Sequence, residues 1–525
     1  MARIASPHRL RADLGARLVL ALLACGTGAC NEIADGSLTL VIDQTDLALD
    51  PLADPRVTRL ALYDDDTGDS LGDAPLRLGG RTRLTAVAPG TRNLRLEALS
   101  ATNQVLAAAR AFDVRLASGR SQEIPLHLRK PLVYVGGGAE IQVSDSAASG
   151  IETGALDPIP LAGVRAMATT RGGELLVAAL EDASGYSLVW IDTATHTERG
   201  RAPLGAPVRS IFVHPLDRYA VVLQTLNDIA LVVDLPALVT GTNLESAFRP
   251  VSVPRPHSAA FDEDDDLWVI SATPANCDTP GLKPGQLLHI DREGNQREAP
   301  VALPSLASDI GLNPVTGRPL VALACAGKLM ELQDRAFVEV AAIRGLGDVV
   351  IDGSTLFTVG WEPPTEPDFL PGVVSVLDLK QPGGGRQVVF PIESVPLTLG
   401  EQDSHGNYKY LYIEAVSLAP RAVSVTSHGG RVAFLHTITY SLVTDLNDPV
   451  TGLPLCAEFA ISLVEQGLTL VDVETGQIVW TRPTSFDNQC LCDRVNRGVC
   501  IQDLEASLDG PAYTPTALTI LTGGK

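Results

Sequence analysis

Cysteine is the residue type whose spacing most narrows the chemistry open to this 525-residue chain. Eight are present, and Cys456, Cys490, Cys492 and Cys500 crowd together near the C-terminal end. Thiolates ligate zinc or pair as disulfides. The Cys490-Leu-Cys492 step is tighter than the gap of about two to four residues in structural zinc sites, so these four read as disulfide formers, with zinc as the rival reading. Four cysteines allow three pairings, which sequence does not resolve. Carboxylates also cluster, in Asp64-Asp-Asp-Thr-Gly-Asp69 and Asp262-Glu-Asp-Asp-Asp266. Neither run has the spaced oxygen ligands and distal bidentate Glu of a calcium loop, and both read as solvated turns. The nine histidines have no metal-ligand spacing, and His428 and His436 read as structural. No Gly-x-Ser-x-Gly elbow, phosphate loop or His-Glu-x-x-His helix occurs, so no catalytic residue, cofactor or metal is assigned. A formal charge of −22, with 34 Arg and 6 Lys that form no cluster, argues against a nucleic-acid partner.

The N-terminus sets the compartment. Arg3, Arg9, Arg11 and Arg17 precede a short apolar run, Leu18 to Ala24, which is the pattern of a secretory signal. Seven residues are far short of the roughly 20 that a helix needs to span a bilayer. The run ends in Leu22-Leu23-Ala24-Cys25, which resembles the bacterial lipobox. That resemblance implies lipidation at Cys25, cleavage after residue 24 and anchoring by lipid alone, in the bacterial cell envelope. Cys30, after Gly28-Ala29, is the alternative: lipidation there leaves an even number of other cysteines, whereas Cys25 leaves an odd one. A plain secretory signal is the third reading. All three put the mature chain where disulfides persist.

Residues 25–36 read as a tether and 37–130 as a small β-sandwich, immunoglobulin-like or prealbumin-like. The evidence is a series of alternating runs separated by Gly, Pro and Asp: 37–43, 57–63, 81–87, 93–99, 109–116 and 123–128. Residues 131–525 repeat one unit: an apolar run, a second apolar run ending in Asp, a polar strand and an alternating strand. The first runs start at Leu132, Leu175, Ala220, Leu267, Leu320, Leu356 and Val432, separated by 43, 45, 47, 53, 36 and 76 residues. A period in this range marks propeller blades of four strands. Leu132-Val-Tyr-Val135, Ser187-Leu-Val-Trp-Ile-Asp192 with Thr193-Ala-Thr195, and Ser210-Ile-Phe-Val-His-Pro215 resemble the YVTN-type propeller repeats. The resemblance implies an all-β fold, a seven-bladed propeller, and says almost nothing about function. Because the repeats begin on a second strand and end on Thr516–Gly524, which has the pattern of an innermost strand, the C-terminus is expected to close the first blade.

The positioning elements then give the chain a working side. Loops after second and fourth strands share one propeller face, and the long insertions 272–285, 361–372, 392–420, 436–466 and 482–515 all fall there. Cys277 and Cys325 lie on that face in neighbouring blades, which makes a Cys277–Cys325 disulfide geometrically reasonable. The innermost strands start at Arg165, Arg209, His257, Asp309, Asp348, Arg421 and Thr516, so a ring of mixed charge at the channel mouth is a candidate site for a polar ligand. The expected function is non-catalytic: a monomeric envelope protein that binds or scaffolds a protein or polysaccharide. A propeller hydrolase or lactonase with a metal in the channel is the alternative. Asp309 and Asp348 would serve such an ion, and Arg165 and Arg209 oppose it.

Overall fold

The computed structural model describes residues 36–43, 51–74, 81–87, 90–116, 121–150, 154–242, 244–272, 281–343, 346–361, 372–381, 385–389, 412–419, 425–428, 430–443, 460–490 and 515–520. Strands β1 (Gly36–Asp43), β2 (Val57–Asp64), β3 (Ser70–Ala74), β4 (Arg81–Val87), β5 (Gly90–Ser100), β6 (Val105–Leu116) and β7 (Ser121–His127) form two sheets, ordered β4-β1-β7 and β3-β2-β5-β6. One apolar layer joins them. Leu60 and Leu62 of β2, Leu94 and Leu96 of β5, Leu106 of β6, and Ile124 and Leu126 of β7 are all buried in it. Two features differ from the sequence expectation: β1 runs parallel to β7, and β3, paired antiparallel with β2, is a strand that no alternating apolar pattern announces.

Antiparallel sheets follow, each of four strands except the last, which has five. The first contains β8 (Leu132–Gly137), β9 (Glu140–Asp145) and β10 (Ala155–Ile159), with its fourth strand supplied from the far end of the chain. The next four are built from β11 (Val164–Thr169), β12 (Leu175–Asp182), β13 (Gly185–Asp192) and β14 (Glu198–Leu204); β15 (Ser210–Val213), β16 (Tyr219–Gln224), β17 (Ile229–Asp234) and β18 (Phe248–Ser252); β19 (Pro256–Phe261), β20 (Leu267–Ser271), β21 (Gln286–Ile290) and β22 (Val301–Ala302); and β23 (Asp309–Leu312), β24 (Pro319–Leu323), β25 (Lys328–Gln333) and β26 (Ala336–Ala342). Then come β27 (Val349–Asp352), β28 (Thr355–Trp361), β29 (Gly372–Asp378) and β30 (Arg386–Val389). The last sheet holds β31 (Tyr412–Ala419), β32 (Val425–His428), β33 (Arg431–Val443), β34 (Ala460–Asp472) and β35 (Gln477–Cys490). Strand β36 (Pro515–Ile520) pairs antiparallel with β8, setting Leu518 opposite Val135 and Thr519 opposite Tyr134.

The side-chain period of two explains why the second strands read as unbroken apolar runs. Each sheet is covered on both faces. In β12, Leu176, Ala178 and Leu180 pack with Tyr134 and Val143 of the preceding sheet. The alternate residues Leu175, Val177 and Ala179 pack with Ile211, Ala220 and Val222 of the following one. Similar layers join each successive pair of sheets, and Val133 and Val135 of β8 share a layer with Ala433, Leu435, Leu468 and Leu470 of the last sheet. The first strands follow the same cycle, β36 lying beside β11, then β15, β19, β23, β27 and β32, and β32 again beside β36. Sheets arranged radially around a common axis in this way make a β-propeller.

The Asp that closes most third strands acts through its side chain. The Oδ1 of Asp192 accepts from the backbone N–H of Ala194 and Thr195, that of Asp145 from Ala147, that of Asp378 from Lys380 and that of Asp472 from Thr475. A carboxylate that takes up these amides stabilises the reversal into the fourth strand. Asp234 plays the same part at the start of a short helix, α1 (Leu235–Thr240), accepting from Ala237 N–H at 3.0 Å.

Within the insertions 392–420, 436–466 and 482–515, read from sequence as loops, the last sheet makes strand of residues 412–419, 436–443, 460–466 and 482–490. β33 and β34 stay paired from Arg431↔Asp472 out to Val443↔Ala460, and β31, inside the 392–420 insertion, pairs with the outer half of β33. The innermost strand there is Val425–His428, four residues beyond the start at Arg421 expected from sequence.

Truncation after residue 514 removes β36 and opens the ring. The thermal midpoint should then fall on the order of 10 °C, because the apolar layers on both sides of β8 lose their closure; an unchanged midpoint in scanning calorimetry would show that β36 does not close the ring.

Candidate functional site

Residues from different sheets meet at the starts of the innermost strands. Arg209 Nε donates to the His257 carbonyl at 3.3 Å, and His257 Nε2 lies 3.0 Å from the Ser308 carbonyl. Ser258 Oγ donates to Asp309 Oδ1 at 2.5 Å, and Asp309 Oδ2 accepts from the Val349 N–H at 3.1 Å. Ser308 Oγ donates to the Gly347 carbonyl at 3.0 Å, and Thr225 Oγ1 to the Pro256 carbonyl at 2.7 Å. Each bond crosses from one sheet to the next, where no backbone ladder exists. These side chains form a polar belt around part of the axis. Asp309 is buried, and Ile310 N–H also donates to its Oδ1; three donors therefore occupy a carboxylate that the sequence offered as a ligand.

The remaining mouth candidates separate. Arg165 is exposed and pairs at 2.8 Å with Glu181 of its own sheet, and Asp348 is half-buried just before β27. Arg421 lies outside the described residues. So do Cys25, Cys30, Cys277, Cys456, Cys492 and Cys500, and Cys490 ends β35. Cys325, in the short turn after β24, is disulfide-bonded. Among the described residues, no group of three or more His, Cys, Asp or Glu could hold a metal ion. No described helix is long and apolar enough to cross a membrane.

A cavity of about 660 Å3 runs along the same strands, from Asp309 and Val349 at their starts to the turns that follow them. Its wall includes Phe212, His214, Ala260, Phe261, Leu312 and Ile351 from four innermost strands and the turns that follow them. The N-terminal sheets add Asp65, Asp66, Thr67, Gly68, Asn93 and Arg95 to its boundary. The run Asp64–Asp69, expected to be a solvated hairpin, is therefore partly a structural centre. The Asp65 side chain is only 5% exposed and pairs with Arg95 at 2.9 Å and Arg110 at 3.0 Å, while Arg171, in the turn after β11, stands 3.7 Å away. Burial would raise the Asp65 carboxyl, but Arg110, Arg171 and Arg95 together hold it below the usual carboxylate range. Burial lowers Arg110 to about 10.

A second buried acid supports this cluster. Asp217, in the turn after β15, accepts from the Arg171 N–H at 2.6 Å and the Gly172 N–H at 2.5 Å. Burial pushes its carboxyl up to about 7, against the pull of those two amides and of Arg171 and Arg110. The residues that sequence missed here are Arg95, Arg110, Arg171 and Asp217. One signal was available, since Arg110 interrupts the small apolar run Ala107-Ala-Ala-Arg-Ala111, directly after the buried stretch Leu106–Ala109 of β6.

No family model matches the chain, and no curated protein matches it. Among solved structures, the chain is similar to hydrazine synthase of Kuenenia stuttgartiensis at 13% identity, over 62% of this chain and 96% of that one, with a TM-score of 0.36. It is also similar to the Pan2 WD40 domain of Neurospora crassa (12% identity, 51% and 82% of the chains, TM-score 0.34) and to Hsv2 of Kluyveromyces lactis (11%, 68% and 95%, 0.32). At these values none of them speaks to what this chain binds, and the architecture stands on strand pairing and packing.

His257 gives the belt a pH signature. Burial, helped by the Arg209 charge and offset in part by Asp309, pushes its imidazole down to about 4. In the window from 6.5 down to about 4 the unfolded chain takes up a proton that the native site refuses, so stability falls as pH falls through it. His257→Gln should flatten that loss, measured as denaturation midpoints between pH 7 and pH 4. An identical pH profile in the variant would show that His257 is not the titrating group.

Proposed function

We propose that the chain is a lipid-anchored protein of the bacterial cell envelope whose propeller, with seven blades of the YVTN type, holds a protein or polysaccharide on its long-loop face. In this reading the two N-terminal sheets are a small sandwich that stands between the anchor and the propeller. The observation that carries it is the position of those sheets. Arg56 Nη1 donates to the Ala147 carbonyl at 2.7 Å, Arg110 Nη1 to the Arg171 carbonyl at 3.3 Å, and Arg218 pairs with Asp113 at 2.7 Å. Ala147, Arg171 and Arg218 all lie in turns after first or third strands. The N-terminal sheets thus occupy that face, and an anchor attached through them directs the opposite face, with its insertions, away from the membrane.

The blade count rests on the cycle of sheets and layers described above, and the anchor on the Leu22-Leu23-Ala24-Cys25 motif. Disulfides involving Cys277, Cys325, Cys456, Cys490, Cys492 and Cys500 staple the long loops, with Cys277 as partner of Cys325. The α1 insertion, residues 235–247, lies between third and fourth strands and so adds to the face that the N-terminal sheets occupy.

Two measurements test the proposal. Cys25→Ala should release the protein from the membrane fraction while Cys30→Ala leaves it there; release by Cys30→Ala alone moves the anchor to Cys30, and release by neither removes it. Crosslinking in intact envelopes should capture a partner that is lost when the 392–420 insertion is shortened within 392–411, which leaves β31 in place. A stoichiometric divalent ion in purified protein would overturn the non-catalytic reading in favour of a metal-dependent propeller enzyme.

A further inference from the structure

We propose that the Asp64–Asp69 turn is a plug: it covers one end of the axial cavity and locks the N-terminal sheets and the propeller into one cooperative unit. The proposal does not depend on the lipid anchor or on the identity of any partner.

Geometry supplies the first argument. The cavity of about 660 Å3 falls in the size range of small-molecule sites. It has two kinds of wall, the ends of innermost strands and the Asp65–Gly68 turn with Asn93 and Arg95. A propeller channel is ordinarily open at both ends, and here one end carries an element from outside the ring.

The bonding that holds the turn in place is the second argument. Within the N-terminal sheets the turn is rigid. Asp64 Oδ1 accepts from the Asp66 and Thr67 N–H groups, Asp64 Oδ2 from Arg92 at 2.8 Å, and Asp66 Oδ1 from Asn93 Nδ2 at 2.8 Å. Across the boundary, the Arg110 side chain, 2% exposed, donates both to Asp65 and to the Arg171 carbonyl. Arg171 is itself pinned by Asp217 of the next turn through its amide. A guanidinium buried to this degree needs its acceptors, because breaking a buried ion pair leaves an uncompensated charge. Lifting the turn off the propeller strips Arg110 of one acceptor and separates Arg171 from Asp65. The contacts to Ala147 and Arg218 stand on neighbouring turns, so the docking spans three consecutive sheets and resists tilting as well as lifting.

Charge balance gives the third argument. Asp65 keeps a depressed pKa despite burial because three arginines surround it, and one of the three belongs to the propeller. The turn is therefore charged and matched in its docked position rather than tolerated there.

Hydrogen exchange on the full chain tests the plug. Arg171→Ala combined with Asp113→Ala removes two cross-boundary ion pairs and leaves both the Arg218–Asp265 pair of the propeller and the Arg95–Asp65–Arg110 cluster intact. The exchange rate in 211–216 and 309–317, which line the cavity, should rise about ten-fold or more, while 94–99 and 220–223 keep the wild-type rate. Unchanged exchange at 211–216 and 309–317 overturns the plug. A second reading uses the unmutated chain: scanning calorimetry should give a single transition, and a separate transition for residues 36–127 would overturn the claim of one unit.

Discussion

No backbone ladder joins one propeller sheet to the next, and the whole architecture follows from that. Each sheet is stable within itself through paired amides and carbonyls, but its placement depends on side chains alone. The apolar layers do most of this. A second strand such as Leu175–Leu180 sends alternate residues into two different layers, so every sheet is glued on both faces. Such a stack has two sticky ends unless it closes. Closure comes from β36 pairing with β8 and from the layer that Val133 and Val135 share with the last sheet.

Near the axis the layers thin and polar side chains take over. Arg209, His257, Ser258, Ser308 and Asp309 connect consecutive sheets in one rotational sense, each reaching to a group of the next sheet. This changes the meaning of a charged channel mouth. Residues that look like a ligand shell in sequence are partly consumed in holding the ring. The charged cluster that sits against a cavity lies at the other end of the strands, where Asp65, Arg110, Arg171 and Asp217 join the N-terminal sheets to the propeller.

The repeating unit was legible because its physics is local. Burial on both faces makes a strand uniformly apolar, and an Asp that caps a turn recurs at the same place in most units, so Leu132, Leu175, Ala220, Leu267, Leu320, Leu356 and Val432 all mark second strands. The candidate site was harder to read because its members are joined by docking rather than by period. Nothing in Asp64-Asp-Asp-Thr-Gly-Asp69 separates a solvated turn from one buried against Arg171, more than a hundred positions away. Strand β3 stayed hidden for a different reason: Ser70-Leu-Gly-Asp-Ala74 has neither alternation nor β-branched residues, and its place is set by pairing with β2. The long strands of the last sheet were read as loops because their length exceeds the period that the other units establish.

Ring closure by the two chain ends is the claim on which the remaining assignments depend, and a cross-strand disulfide tests it most directly. Val135 and Leu518 stand opposite each other in the antiparallel β8–β36 pair. Such positions have Cα atoms about 4.5–5.5 Å apart, within the span a disulfide bridges. The double variant Val135→Cys, Leu518→Cys should form that bond within one chain on folding under oxidising conditions, seen as a single peptide pair by mass spectrometry. Two free thiols, or bonds only between chains, would contradict a closed ring.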